Sequence, residues 1–299
     1  MRPDQVSLTA IMTAYLRGFH AACDSPRIFD DALAWSIIPG ERRALIEQGF
    51  ARAVPAGASA GAARAATRAL MRGMGMAVVL SRARYAEEAL AQEVEQGASQ
   101  YVILGAGLDT FAFRQPQLVE RLEVFEVDHP ATQAFKLSRL EELGWELPSR
   151  LHFVPVDFTR DDLAAELVRA GFDRHRRSFF SWLGVTMYLG RGEVTGTLRM
   201  VADMAPSGSC LVFDFLDAAS FAPAAGGGQP RQLRQALQGI GEPMRTGLDP
   251  DRLGSELAAL GLRLVELLRP ADIQQRYFQG RSDGLHASPN ACLARVVVA

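Results

Sequence analysis

Lysine is almost missing from this chain of 299 residues: of its 32 basic residues, Lys136 is the only one that is not an arginine. With the abundance of alanine, that bias reads as codon usage, for it has no structural logic of its own. Cysteine is scarce as well. Cys23, Cys210 and Cys292 are odd in number and far apart, so neither a zinc spacing nor a disulfide framework follows, no metal site is expected, and a reducing cytoplasm is the expected location. No apolar run reaches the length that crosses a bilayer. The first residues also lack a cationic region followed by an apolar stretch, so neither a membrane partner nor a secretory leader is expected. Charge of one sign is not in excess. A formal net charge of -2 gives no electrostatic reason to expect a nucleic acid partner. What is present is a hydrophobic fraction of 48% with 22% charged residues, enough for one large α/β unit with additions.

Three zones follow along the chain. Residues 1–97 read as a helical N-terminal region, with apolar positions at helical spacing around Ile11, Tyr15 and Phe19 and again around Val79, Tyr85 and Leu90. Between them, the stretch from Val54 to Ala63 opens on turn residues and leads into an alanine-rich helix. From residue 98 to 299, apolar strand candidates alternate with helical patterns, the mark of a wound parallel sheet. The expected strands are 100–104, 122–127, 151–156, 178–183, 209–215, 263–268 and 291–298. A helix from Asp161 to Ala170 is expected, started by Thr159 or Asp161. The last strand, after Pro289-Asn290, suits an antiparallel edge. The region 216–250 reads as an insertion or lid, and its stretch from Phe221 to Pro230, with glycines at 226–228, as lid or flexible coil. Helical and α/β regions are expected to form one compact unit.

The densest signal is Tyr101-Val-Ile-Leu-Gly105-Ala-Gly107-Leu-Asp109-Thr110, an apolar strand running into a glycine turn. About twenty residues on, a second strand ends in acid at Glu126-Val-Asp128. That arrangement suits a nucleotide-type cofactor at the open end of a parallel sheet. Gly105 and Gly107 admit a close backbone approach, and a carboxylate ending the next strand grips ribose hydroxyls. Asp128 is the expected ribose ligand; the alternative is Glu126, with Asp128 capping the following turn. A dinucleotide fingerprint requires a third glycine where Thr110 stands, so the nicotinamide reading loses support there.

The motif Leu104 to Thr110 followed by Arg114 resembles the first motif of the leucine carboxyl methyltransferase family, which includes tetracenomycin-type polyketide O-methyltransferases. Three further segments resemble that family in order and spacing: Glu126-Val-Asp128-His-Pro130 with Lys136 beyond, Val156-Asp157-Phe158, and Trp182-Leu-Gly-Val-Thr-Met-Tyr-Leu189. The resemblance is strong over residues 80–215 and loose in the flanks. It implies a class I methyltransferase (Rossmann-like) fold, with a seven-stranded sheet, an antiparallel last strand and an extra helical N-terminal region. It also implies S-adenosyl-L-methionine as cofactor. Gly105, Gly107 and Asp109 would shape the cofactor loop, Asp128 bind the ribose, and Asp157 and Phe158 meet the adenine. Arg82 would hold the cofactor's carboxylate, a task that suits a planar fork, with Arg84 the nearby alternative. One departure stands out. Where carboxyl methyltransferases of the family place a glutamate, this chain has Leu183, which argues against carrying over leucine-carboxylate specificity.

The resemblance therefore implies transfer of a methyl group to a carboxylate or hydroxyl of a small molecule, polyketide-like or another secondary metabolite. Tyr188 is a candidate at the pocket edge, and the helix through Tyr15 and Phe19 a candidate cover over the substrate. Histidines 20, 129, 152, 175 and 286 are the available bases, His286 the best placed, and none is singled out as catalytic. Two rivals belong to other classes. A nicotinamide oxidoreductase is disfavoured by Thr110 and by the lack of a tyrosine–lysine pair, and a cofactor-binding member without turnover is suggested by Leu183.

Overall fold

Alternation along the strands decides the architecture. In the computed structural model, which describes residues 6–158, 160–221, 238 and 242–299, Tyr101 and Ile103 of the first strand point to one side and Val102 and Leu104 to the other. Each pair joins a separate buried cluster, as a period of two dictates for a strand covered on both faces. One cluster is completed by N-terminal helices through Ile11, Leu80, Tyr85 and Leu90. The other is completed by helices that follow the strands, through Leu163, Leu167, Val194 and Leu198.

The N-terminal helices are α1 (Leu8–Cys23), α2 (Leu33–Ile37), α3 (Gly40–Arg52), α4 (Ala60–Gly73) and α5 (Met76–Glu95). Ser7 caps α1 by accepting from the amide of Ala10, and Ser59 caps α4 by accepting from Ala62. The strands are β1 (Gln100–Leu104), β2 (Glu123–Asp128), β3 (Leu151–Pro155), β4 (Ser178–Trp182), β5 (Cys210–Leu216), β6 (Leu262–Leu268) and β7 (Ala291–Val298). Short helices α6 (Phe111–Arg114) and α7 (Pro116–Val119) follow β1, and α8 (Pro130–Glu142), α9 (Leu163–Arg169) and α10 (Arg191–Met204) connect the later strands.

The sheet runs β3-β2-β1-β4-β5-β7-β6. Every neighbour from β3 to β5 is parallel, and β7 is antiparallel to both β5 and β6. Strand order reverses between β1 and β4, and the crevice above such a switch point is where open α/β sheets take ligands. All seven expected strands form, within two residues of their expected bounds.

Two expectations are corrected. The last strand is antiparallel but not an edge: β7 is wedged between β5 and β6. Its burial is nearly continuous, whereas β6 exposes alternate residues such as Val265. Helix α9 starts at Leu163 and is capped by Asp162, whose side chain accepts from Ala165, not by Asp161. The carboxylate of Asp161 turns back to the amide of Asp157 at 2.8 Å, and Thr159 lies outside the described residues. So does the glycine-rich stretch after Phe221. The returning segment docks on the sheet's open end, with the amide of Arg245 donating to Met187 O at 2.7 Å and that of Leu248 to Leu216 O at 2.9 Å. Among the described residues no helix is long and apolar enough to cross a membrane.

Candidate active site

The turn after β1 is built from two left-handed glycines, Gly105 at φ +77° and Gly107 at φ +54°. The amides of Gly105 and Ala106 both donate to Val127 O, at 2.8 and 3.0 Å, which ties the turn to the end of β2. No side chain fits at Gly105, because a Cβ there would run into Val185. At Gly107 a Cβ would lie 3.2 Å from that of Ala10, so α1 lies directly over the turn.

Asp128 closes the turn from the other side. One carboxylate oxygen accepts from the amide of Gly107, the other from that of His129 at 2.6 Å. Burial pushes its carboxyl above the usual range, with those two N–H groups pulling the other way. Asp128 also faces the cleft. Glu126 does not: it is 1% exposed and salt-bridged to Lys136, whose ammonium also donates to Asp109 O at 2.6 Å. Of the two acids at the end of β2, only Asp128 is placed to receive a ligand. The cap of α8 is the ring of His129, which accepts from Ala131. Asp109 uses its side chain locally, taking the amide of Phe111 at 2.6 Å.

These groups border a cleft of about 800 Å³. Asp157 and Phe158, at the end of β3, reach it, as do Leu183, Gly184 and Tyr188 after β4. Burial pushes the Tyr188 phenol up to about 12. Arg82, on α5, lies at the cleft and pairs with Asp214 of β5 at 3.0 Å. Arg84 points elsewhere and pairs with Glu88. Every residue expected to bind the cofactor (Arg82, Gly105, Gly107, Asp109, Asp128, Asp157 and Phe158) borders this one cleft.

Tyr15 and Phe19 do not border it. They belong to an adjacent face of α1, where Tyr15 packs on Trp35 and Phe50 at ring separations of 5.4 and 5.8 Å, around a separate cavity of about 450 Å³. The face of α1 that does reach the cleft carries Thr9, Met12, Thr13 and Leu16. His129 and His286 border the cleft. His20 is buried, held between Asp24 and the amide of Ile28, and His152 pairs with Glu123. Sequence reasoning missed Asp214, although an isolated acid inside an apolar strand is itself a signal, and Glu242. The Glu242 carboxylate accepts from the amides of Leu8 and Thr9 at 3.1 and 3.3 Å and so seats the start of α1.

Residues 10–202 match the family model for leucine carboxyl methyltransferase. The chain belongs to the leucine carboxyl methyltransferase family. One relative, from Bacillus subtilis and named "Putative S-adenosyl-L-methionine-dependent methyltransferase YktD", is 35% identical over 96% of both chains. Another of the same description, without the final word, from a Mycobacterium species, is 34% identical over 61% of this chain and 56% of its own length. In fold the methyltransferase resembles a DUF574 family protein from Streptomyces avermitilis, at a TM-score of 0.57 and 18% identity over 99% of each. The chain is an S-adenosylmethionine-dependent methyltransferase. The residues present fit that cofactor: a turn that a Cβ would fill, a carboxylate at the end of β2, and an arginine at the cleft.

Proposed function

We propose that this methyltransferase moves the methyl group to an oxygen, carboxylate or hydroxyl, of a small and largely apolar acceptor such as a secondary metabolite. The observation that carries this reading is the extent of the cleft. Besides the glycine turn, its lining includes the apolar side chains of Met12, Met74, Val78 and Leu285, with Thr13 and His286 among the polar groups. That lining suits a compact apolar ligand with one polar end, and the family model's name supports oxygen as the nucleophile.

When bound, S-adenosylmethionine supplies an electrophilic methyl on a sulfonium. The chain's task is to align the acceptor oxygen with it and keep water out, and orientation of that kind supplies much of the rate in such displacements. Asp128 would hold the ribose, Asp157 and Phe158 the adenine, and Arg82 the carboxylate of the methionine end. Met12 and Met74 would orient the acceptor by contact alone. A carboxylate acceptor needs no base; for a hydroxyl, His286 and His129 are the histidines at the cleft.

The test is a panel of small aromatic and aliphatic acids, phenols, amines and thiols with methyl-labelled cofactor. The expected label is released by mild alkali from an ester and retained by an ether. Label appearing only on amines or thiols would overturn oxygen transfer. Cofactor binding with no transfer to any member would favour the non-catalytic reading that Leu183 suggests.

A further inference from the structure

Strand β5 carries one carboxylate among apolar side chains, Cys210-Leu-Val-Phe-Asp214-Phe-Leu216, and Asp214 is 1% exposed. A buried acid is retained only when its partners compensate its lost hydration. Here the partners lie on two other elements. One oxygen accepts from the amide of Gly184 at 2.5 Å and the other from Nη1 of Arg82 at 3.0 Å. The residue's own carbonyl accepts from the Thr186 hydroxyl at 2.7 Å, so Asp214 fixes the turn after β4 through both main chain and side chain.

Gly184 completes the arrangement. It stands at φ +72°, and a Cβ added there would lie 2.6 Å from Cζ of Arg82. The guanidinium thus occupies the space that any other residue would fill. With one nitrogen on Asp214, Arg82 makes no other hydrogen bond among the described residues, and it borders the cleft. An arginine anchored by one edge keeps its remaining donors in a fixed direction, the geometry that bidentate recognition of a carboxylate requires.

We propose that Asp214 is the positioning residue of the cofactor's amino-acid site. It holds Arg82 against Gly184 so that the free edge of the guanidinium meets the methionine carboxylate. The proposal rests on the role given to Arg82 above. The acid that steadies this turn comes from β5 and acts through arginine, with no contact of its own to the cleft.

The experiment compares two nucleosides by calorimetry. S-adenosylhomocysteine has the amino-acid end, and 5′-methylthioadenosine lacks it. Arg82→Met is expected to weaken S-adenosylhomocysteine by roughly 10- to 100-fold, as for loss of a charged hydrogen bond. Asp214→Asn is expected to weaken it by about tenfold, as for loss of a group that orients a ligand-binding side chain. Both should leave 5′-methylthioadenosine within about twofold, which also reports an intact site. If Arg82→Met is selective and Asp214→Asn is not, the positioning role is overturned and the arginine's role stands. If neither is selective, the reading of Arg82 fails and the proposal with it. If Asp214→Asn weakens both nucleosides equally, its role is structural and the proposal is overturned. Should that variant not fold, Gly184→Ala decides. It displaces the guanidinium without changing a charge, and an unchanged preference between the two nucleosides would overturn the proposal.

Discussion

Lys136 and Glu126 show how one residue pair sorts the chemistry at the end of β2. Both are 1% exposed and paired with each other. Burial pushes the Glu126 carboxyl up to about 7, with the lysine acting against that rise. An acid whose folded pKa lies above its unfolded one holds its proton in the native state after the unfolded chain has lost it. Its contribution to stability is therefore fully present below about 4.5 and is lost as pH rises toward 7. Lys136→Met removes the compensating charge, so the variant should be less stable by about 3–5 kcal/mol at pH 8. The deficit should be smaller at pH 5, where Glu126 is protonated. Urea unfolding at both pH values checks this, and adding Glu126→Gln should recover most of the loss. The same pair explains why the sequence left two candidates for the ribose ligand. Glu126 and Asp128 have equal claims as letters, and only the return of α8 over the turn takes one of them out of reach. Tyr15 and Phe19 were misplaced for a related reason. Helical spacing shows that α1 has apolar faces, but not which of them meets α2 and which meets the cleft.

At the scale of elements, the apolar periodicity made the strands legible, and it also held a clue to their order. The run Ala291 to Val298 is nearly all apolar, as a strand with neighbours on both sides must be. The Leu262–Leu268 segment instead carries two charges, Arg263 and Glu266, as suits an edge. Position after the last loop suggested the edge, and composition was the better guide. The seating of α1 was not legible, since Glu242 reaches its first amides from 233 residues away. A carboxylate there satisfies two free N–H groups and complements the helix dipole, worth about 1 kcal/mol in a partly buried setting. Glu242→Gln should therefore loosen the start of α1, which lies over Gly107. S-adenosylhomocysteine should dissociate severalfold faster with little change in overall stability, as stopped-flow displacement would show. An unchanged dissociation rate would mean that α1 is held by its packing alone.

Across the whole molecule, the cleft is where the N-terminal helices meet the sheet. Its walls come from α1 and α5 on one side, and on the other from the ends of β1, β2 and β3, the turn after β4 and the segment 285–290. The four ordered motifs announced the second set, because each sits at the carboxyl end of a strand where chemistry constrains residue type. The first set is constrained mainly to be helical and apolar, and its place over the sheet emerges only from packing. A ligand in this cleft touches both sets, so its binding energy stabilises their junction as well as the sheet. At a concentration one hundred times its Kd, a ligand that binds only the native state adds about 2.7 kcal/mol. For a chain of this size that corresponds to roughly 4 °C in Tm. S-adenosylhomocysteine should produce such a shift, and NADH none. Asp128→Ala should abolish it while leaving the ligand-free Tm within a few degrees. A shift with NADH would return the nicotinamide reading. A shift that survives Asp128→Ala would show that the cofactor is held without the carboxylate that ends β2.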